Sequence, residues 1–255
     1  MGTVSKALTL LDILKRPDAR LGLTEISRQA GFDKATTRRM LLELMANGFV
    51  EQDDIDRNYV LGPVLQVLGK AREERFPFYK TIQPIVRNLS ELTGETVHAT
   101  EYSAGNLLSI YAHESDKSNR VSLSLGLKLP LHATASGIAF LAASTTSFVE
   151  TFMKKPRSKL AANTPIEAAQ IQQLITQAKQ RGFSISNQSF EDGVHSVAKA
   201  IVDQNERPIG TIAIAMPTSR VTPERIDEFG KMVVQVSHDV SLKLFGRPLA
   251  PRPVS

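Results

Sequence analysis

The 255-residue sequence has no cysteine. A disulfide framework, a thiolate metal site and a catalytic thiol are therefore excluded, and the composition fits a reducing compartment. Long apolar runs are also missing. The longest, Leu129 to Ala143, is interrupted by His132, Thr134 and Ser136 and falls short of the roughly 20 residues that a spanning helix needs. The opening MGTVSKALTLLDILKRP does not read as a signal peptide, because Asp12 breaks its apolar region and no small-residue cleavage site follows. The chain reads as cytoplasmic, with no membrane partner. Catalytic signatures are scarce as well. His98, His113, His132 and His195 show no HxxxH or HExxH spacing, there is no GxSxG, and Gly193 and Gly210 stand alone rather than in a phosphate loop. No catalytic residue, metal site or cofactor is expected, and the chain does not read as an enzyme. A large excess of one charge is missing too. The net charge is +5, and residues 1–62 balance nine basic against nine acidic side chains. An anionic partner must therefore be argued from local placement.

A hydrophobic share of 42% and a charged share of 22% suit a globular chain of roughly two domains. Val4, Ala7, Leu8, Leu11 and Leu14 recur at helical spacing over Val4 to Lys15, before Pro17. A second helix is expected from Thr24 as N-cap to Ala30, with Gly31 ending it, and a third from the N-cap Asp33 to Ala46. Phe49-Val50 and Tyr59-Val60-Leu61 flank a polar turn over Asp53 to Arg57 and read as a hairpin. Three helices and a hairpin make a winged helix-turn-helix over 1–62. After Gly62-Pro63 a linker helix is expected within 63–77, then a second domain over 78–246 and a Pro-rich, disordered tail over 247–255. In the second domain Thr96–Tyr102, Leu107–His113, Val121–Leu125, Phe183–Ser186, Val194–Val202 and Ile209–Met216 read as strands. Thr134–Ala143, Pro165–Arg181 and a final helix opening at Thr222-Pro223-Glu224 read as helices. The expected class is α/β in two domains, with helices sandwiching an antiparallel sheet in the second.

A helix-turn-helix needs a small residue where its helices touch, a glycine four positions on for the turn, and an apolar inner face on the second helix. Ser27, Gly31, Phe32, Met40, Leu41 and Leu44 supply these, with Thr37 on the inner side. Arg39 then points outward beside Ala35, Thr36 and Arg38, with Lys34 in the first turn. Arginine reads guanine bidentately and small neighbours let a helix sit deep in the major groove. A solvated basic face is the plainer reading of these residues alone; the Ser27/Gly31/Met40 spacing and the hairpin shift the balance. The expected DNA-binding residues are Ser27, Arg28, Lys34, Ala35, Thr36, Arg38 and Arg39, with Arg57 and Tyr59 from the wing. Asp53, Asp54 and Asp56 beside them would repel DNA.

The stretches VSKALTLLDIL, LTEISRQAGFDKATTRRMLLELMANGFVEQD, LGLKLPLHATASGIAFLAA and FEDGVHSVAKAIVDQNERPIGTIAIAMPTSRVT together resemble the IclR family of bacterial transcription regulators, along nearly the whole chain. The resemblance implies a GAF-like effector-binding domain, homodimers or dimers of dimers on double-stranded operator DNA, and control by a small-molecule effector. It also implies a pocket at Ala135, Ser136, Ser186, Val194, Ser196, Ala213 and Ala215, with His132 and Thr134 leading into it. From the residues themselves, a helix opening at Thr134-Ala135-Ser136-Gly137 presents free backbone N–H groups to an anion. Strand alternation puts Val194, Ser196 and Ala198 on one face, and Ala213 and Ala215 on one face. Family members that bind small carboxylates often carry hydroxyls where Ala213 and Ala215 stand, a cysteine where Ser196 stands and a lysine where Ile138 stands. The departures imply a less polar or larger effector, a partly apolar carboxylate or sugar acid. The rival readings are a metabolite-binding enzyme and a protein-interaction module carrying a winged helix.

Overall fold

The structure is a computed structural model that describes residues 2–16 and 19–246. Pro17 and the 247–255 tail lie outside the described residues. The chain divides into two compact units, one ending at Phe76 and one beginning at Pro77.

In the first unit, α1 spans Thr3–Leu14, α2 Leu23–Ala30 and α3 Lys34–Ala46. The buried stripe of α1 is Leu10 and Leu14, while Val4 and Leu8 are exposed. The apolar face expected from Val4 and Leu8 is therefore turned away from this unit's core. The start of α2 lies one residue before Thr24: Gly22 holds the N-cap position with no side-chain cap. Asp33 caps α3 as expected, its carboxylate accepting the Thr36 N–H at 2.8 Å. Strands β1 (Val50–Gln52) and β2 (Tyr59–Leu61) pair antiparallel. The core joins Leu10, Leu14, Ile26, Met40, Leu41, Val50 and Tyr59. Helix α4, Val64–Arg75, buries no residue.

The second unit opens with α5, Phe78–Thr93, followed by β3 (Thr96–Ser103) and β4 (Asn106–His113). Ser103 pairs with Asn106, so the turn is the two residues Ala104 and Gly105, both at positive φ, as a tight hairpin requires. The strand expected over Val121–Leu125 does not form. The Thr96 hydroxyl donates to the Val121 carbonyl, and the Glu114 carboxylate accepts from the Ser122 hydroxyl and the Leu123 N–H. Side chains thus take the roles of a strand partner, and β5 (Lys128–Leu129) occupies the edge of β4 instead. Next come α6 (Ala135–Ala143), α7 (Thr146–Met153) and α8 (Ala168–Arg181). Helix α7 was not expected; it opens at Thr145, whose hydroxyl accepts the Phe148 N–H. Strands β6 (Ser184–Asn187), β7 (Val194–Val202) and β8 (Pro208–Pro217) precede a short 3-10 turn, Thr218–Arg220, and α9, Pro223–Phe245. The antiparallel sheet runs β5-β4-β3-β8-β7-β6. Helix α6 rests on one face through Ala135, Ala139, Ala198 and Ala213. The alternate residues Ile212, Ile214 and Met216 face the other way and are fully buried, where α5 and α9 pack on each other and on the strands.

A buried carboxylate ties this unit together. Glu95, with no side-chain exposure, pairs with Arg220 at 2.5 Å, Arg225 at 3.0 Å and Lys117 at 3.5 Å. Burial pushes its pKa up, but the hydrogen bonds and charge of Arg220, helped by Lys117 and Arg225, leave it below the ordinary carboxylate value. A depressed pKa stabilises the fold above the unfolded-state value and is lost as pH falls through the folded one. We predict that Glu95→Gln costs about 3 kcal/mol near neutral pH, because breaking a buried pair strands its cations. Urea unfolding of the full chain measures the difference, which should shrink as pH falls through the Glu95 pKa; equal midpoints at pH 7 would remove this role.

Candidate functional site

The turn between α2 and α3 is built by Ser27, Gly31 and Phe32. Gly31 takes the left-handed conformation, with φ 67°. The Ser27 hydroxyl donates to the Phe32 carbonyl at 2.6 Å, and the Phe32 N–H returns to the Ser27 carbonyl at 3.1 Å. Ser27, expected among the DNA contacts, is buried and holds the turn instead. Along α3, Thr37, Met40 and Leu41 are buried, and Leu44 packs on the same core. Lys34, Ala35, Arg38 and Arg39 are exposed on the other side and Thr36 is half-buried. The structure thus brings the α3 candidates to one outer face. Arg28 is exposed but holds Glu25 in a two-bond pair at 2.6 and 2.9 Å, which pushes the Glu25 pKa down to about 2.

The wing differs from expectation. Arg57 is exposed at the hairpin, with φ 58°. Tyr59, expected as a DNA contact, is only 4% exposed and belongs to the core, because β2 turns it inward opposite Gln52. Arg20, which the sequence did not single out, reaches Asp53 at 2.5 Å and Asp56 at 3.4 Å. It offsets part of the negative charge that those residues were expected to set against DNA. A partner 33 positions away leaves no local signal in the sequence.

In the second unit, Thr134 caps α6. Its hydroxyl accepts the Gly137 N–H at 2.9 Å and donates to the Pro130 carbonyl at 3.1 Å. Gly137 packs so tightly on the Leu131 backbone that a Cβ would collide with it. The Ser184 hydroxyl donates to the Ala135 carbonyl at 2.6 Å, fastening the helix start to β6. Beside it is a cavity of about 60 Å³. Seven of the candidate effector residues line it: Thr134, Ala135, Ser136, Ser186, Val194, Ser196 and Ala215. Two do not. Ala213 is sealed between α6 and the sheet with Ala135, Ala139 and Ala198. His132 bonds through Nε2 to the Ser158 carbonyl at 2.9 Å and faces a larger, open cavity of about 450 Å³. The apolar lining also differs from expectation: Val121, Leu123, Leu127, Leu129 and Phe190 line the cavity along with Val194.

His98, weighed above only as a catalytic or metal residue, also lines the cavity. It stands opposite Ala213 on β3, on the sheet face that α6 covers. Its Nε2 lies 3.5 Å from the Ser136 hydroxyl, and its Nδ1 is buried without a hydrogen-bond partner. Burial pushes its pKa down to about 4, so the ring is neutral near pH 7. The alternation Thr96, His98, Thr100 on a buried strand was the available signal. Glu191 is the carboxylate among the described lining residues, and no lysine or arginine lines the cavity there.

The sequence profile described as Bacterial transcriptional regulator IclR C-terminal matches residues 74–242. The profile described as IclR helix-turn-helix domain matches residues 3–54. The chain belongs to the IclR family. The Transcriptional repressor IclR of Escherichia coli (strain K12) is 28% identical over 247 residues, covering 96% of this chain and 90% of that repressor. A candidate IclR regulator from Silicibacter sp. TM1040 has a solved structure that is 34% identical, with TM-score 0.80 and 98% of each chain covered. An IclR homolog from Microbacterium hydrocarbonoxydans, solved in complex with 4-hydroxybenzoate, is 17% identical, with TM-score 0.80 over 95% of this chain and 99% of that one, and shows the shared fold. The chain is thus an IclR-type transcriptional regulator, with a helix-turn-helix domain and an effector-binding domain.

The alanine contact under α6 separates packing from binding. We predict that Ala213→Leu costs about 1–3 kcal/mol by overpacking, seen as a lowered unfolding midpoint. Ala215→Leu, which points into the cavity, should cost less. Equal losses for the two variants would place Ala213 in the cavity instead.

Proposed function

We propose that this IclR-type protein reads near-palindromic operator DNA through α3, as a homodimer or dimer of dimers in the cytoplasm. A small, partly apolar carboxylate or sugar acid at the start of α6 sets its operator affinity. The DNA reading is carried by one observation: Lys34, Ala35, Arg38 and Arg39 share the exposed side of α3 while Thr37, Met40 and Leu41 anchor the other. Arg39 is the direct base reader, Arg38 and Lys34 hold phosphate, and Ala35 and Thr36 permit close approach. Arg57 is assigned to the backbone beside the wing. One such helix covers too few base pairs to find a site in a genome, so two half-sites are required. Val4, Leu8, Val67 and Leu68 are apolar and exposed in the single chain, which supports pairing through α1 and α4.

The effector reading rests on the mixed polar and apolar lining of the cavity. Ser136, Ser186 and Ser196 supply hydroxyls to its lining, and leucines with Phe190 supply apolar surface, the usual mixed character of a small-molecule site. The effector contacts assigned are Thr134, Ala135, Ser136, Ser186, Val194, Ser196 and Ala215.

We predict that Arg39→Ala weakens operator binding by about 1–3 kcal/mol, the value of a bidentate base contact, and relaxes base preference at one position per half-site. Binding measured on a randomised operator library checks both; unchanged affinity and preference would mean that α3 docks otherwise. Wild-type affinity should also fall steeply with salt, because phosphate contacts release counterions. A protein-interaction module would show no such slope on duplex DNA. Ala215→Leu should abolish the effector-induced thermal shift while keeping operator affinity, as a filled cavity requires. A shift that survives in that variant would move the effector elsewhere.

A further inference from the structure

We propose that the open cavity of about 450 Å³ between the start of α6, α8 and β6 is a second ligand site, built for a phosphorylated sugar. It is separate from the smaller cavity assigned above to the effector, and neither reading depends on the other.

The lining carries charge of one sign. Arg181 is the permanent charge among its described residues, and none of them is a carboxylate. Leu174, Gln177 and Arg181 follow at i, i+3 and i+7 on α8, so one helix face brings all three to the wall. Arg181 is exposed, and its guanidinium carbon lies 5.5 Å from the centre of the Phe183 ring. It has no ion pair or hydrogen bond among the described residues. The N–H edge of the fork is therefore left for an oxyanion, which it can hold through two bonds. Amides accompany it. Asn187 is exposed and accepts from Gln188 through Oδ1 at 3.3 Å, leaving its Nδ2 hydrogens as donors. Asn163, also exposed, gives one N–H to the Asn187 carbonyl at 3.3 Å and keeps another. Such amides both donate and accept, as sugar hydroxyls require. Ile138, Leu174 and Ile185 supply apolar wall for the C–H face of a sugar ring.

The wall is also formed in advance. It includes Asn163 and Pro165, from the loop between α7 and α8. That loop is built on Thr164, whose hydroxyl donates to the Ser189 carbonyl at 2.6 Å and accepts the N–H groups of Leu160 and Ala161 at 3.0 and 2.8 Å. His132 Nε2 bonds the Ser158 carbonyl at 2.9 Å, and Arg157 donates to the Ile166 carbonyl at 2.6 Å. A loop tied at so many points loses little freedom when a ligand arrives.

The same loop is basic. Lys154, Lys155, Arg157 and Lys159 lie between α7 and α8, with Glu167 at the far end as the single acid. The three lysines are exposed and have no ion pair among the described residues. A phosphate monoester carries a charge of about −1.5 to −2 at pH 7 and gains more from that field than a carboxylate with one charge. The volume falls within the roughly 300–1,000 Å³ of small-molecule sites, which leaves room for a sugar body beside the phosphoryl group.

Isothermal titration of the full chain tests this with glucose 6-phosphate and ribose 5-phosphate, beside glucose, ribose, gluconate and inorganic phosphate. At least one phosphate ester should bind about tenfold or more tightly than its neutral sugar, gluconate and inorganic phosphate, the scale of one charge-assisted hydrogen bond. The Arg181 Nε resonance of 15N-arginine-labelled protein should move on binding. Arg181→Gln should lower the affinity about tenfold. Asn187→Asp retains the acceptor for Gln188 but adds a negative charge to the wall, and should lower it as well. If one variant fails to fold, the other and the wild-type selectivity decide. Ala215→Leu fills the smaller cavity and should leave the ester bound as before. Failure of both esters to bind, equal binding of a sugar and its phosphate, or affinity that survives both wall variants would overturn the proposal. Gluconate or inorganic phosphate binding as tightly as the esters would overturn the phosphorylated-sugar assignment. Loss of ester binding in Ala215→Leu would place the ligand in the smaller cavity and remove the second site.

Discussion

The distance between α6 and the sheet is the constraint on which the effector domain depends. Ala135 and Ala139 meet Ala198 and Ala213 across that contact, and Gly137 lies against the Leu131 backbone where no side chain would fit. A helix held this close puts its first turn, rather than a layer of large side chains, over β3, β7 and β8. The hydroxyl of Ser136 thereby comes within reach of His98 on the sheet, and Ser184 on β6 reaches the Ala135 carbonyl. Larger side chains at the four alanines would move the helix outward and separate these groups. The same small residues that look featureless in the sequence therefore set the geometry of the cavity.

Polar accounting explains how the rest of the domain tolerates a buried polar seam. Thr100 and Thr211 share a hydrogen bond at 2.6 Å on the same sheet face, Thr96 bonds the Val121 carbonyl, and Ser184 bonds two carbonyls. These hydroxyls have protein partners, as buried polar groups require, whereas the Ser109 hydroxyl on β4 has none. His98 departs from that pattern at one atom, Nδ1.

Much of this was legible in the sequence, for physical reasons that differ by element. Asp33 announced α3 because a cap bond is local, and Gly31 announced the preceding turn because its backbone is left-handed. Strands β7 and β8 follow from alternation, and Ala215 and Ser196 reached the cavity as their faces required. Misreadings arose where non-local contacts decide. Val121–Leu125 has strand-like alternation, yet Glu114 and Thr96 satisfy its backbone from outside. Tyr59 was placed on the wing by its position near the turn, whereas β2 pairing turned it into the core. Ala213 was expected in the cavity with Ala215 through the family resemblance, and strand alternation puts both on one face; how far α6 extends over that face is a tertiary property.

Charge in the DNA-binding domain follows the same logic of placement over composition. Residues 1–62 carry equal numbers of acidic and basic side chains, nine of each, which alone would give no electrostatic attraction for phosphate. The fold spends several of those acids internally. Asp53 and Asp56 face Arg20, Glu25 is held by Arg28, and Asp33 accepts the Thr36 N–H at the start of α3, which lowers its pKa. Lys34, Arg38 and Arg39 remain on the outer face of α3, with no ion pair among the described residues. Exposed charges interact over about a Debye length, roughly 8 Å at physiological salt. Over that range a phosphate approaching the outer face of α3 would meet these three cations together, and Asp33 at the helix start accepts a backbone N–H. A segment neutral on average thus presents a locally basic helix face, through the placement of its charges rather than through any surplus of lysine and arginine.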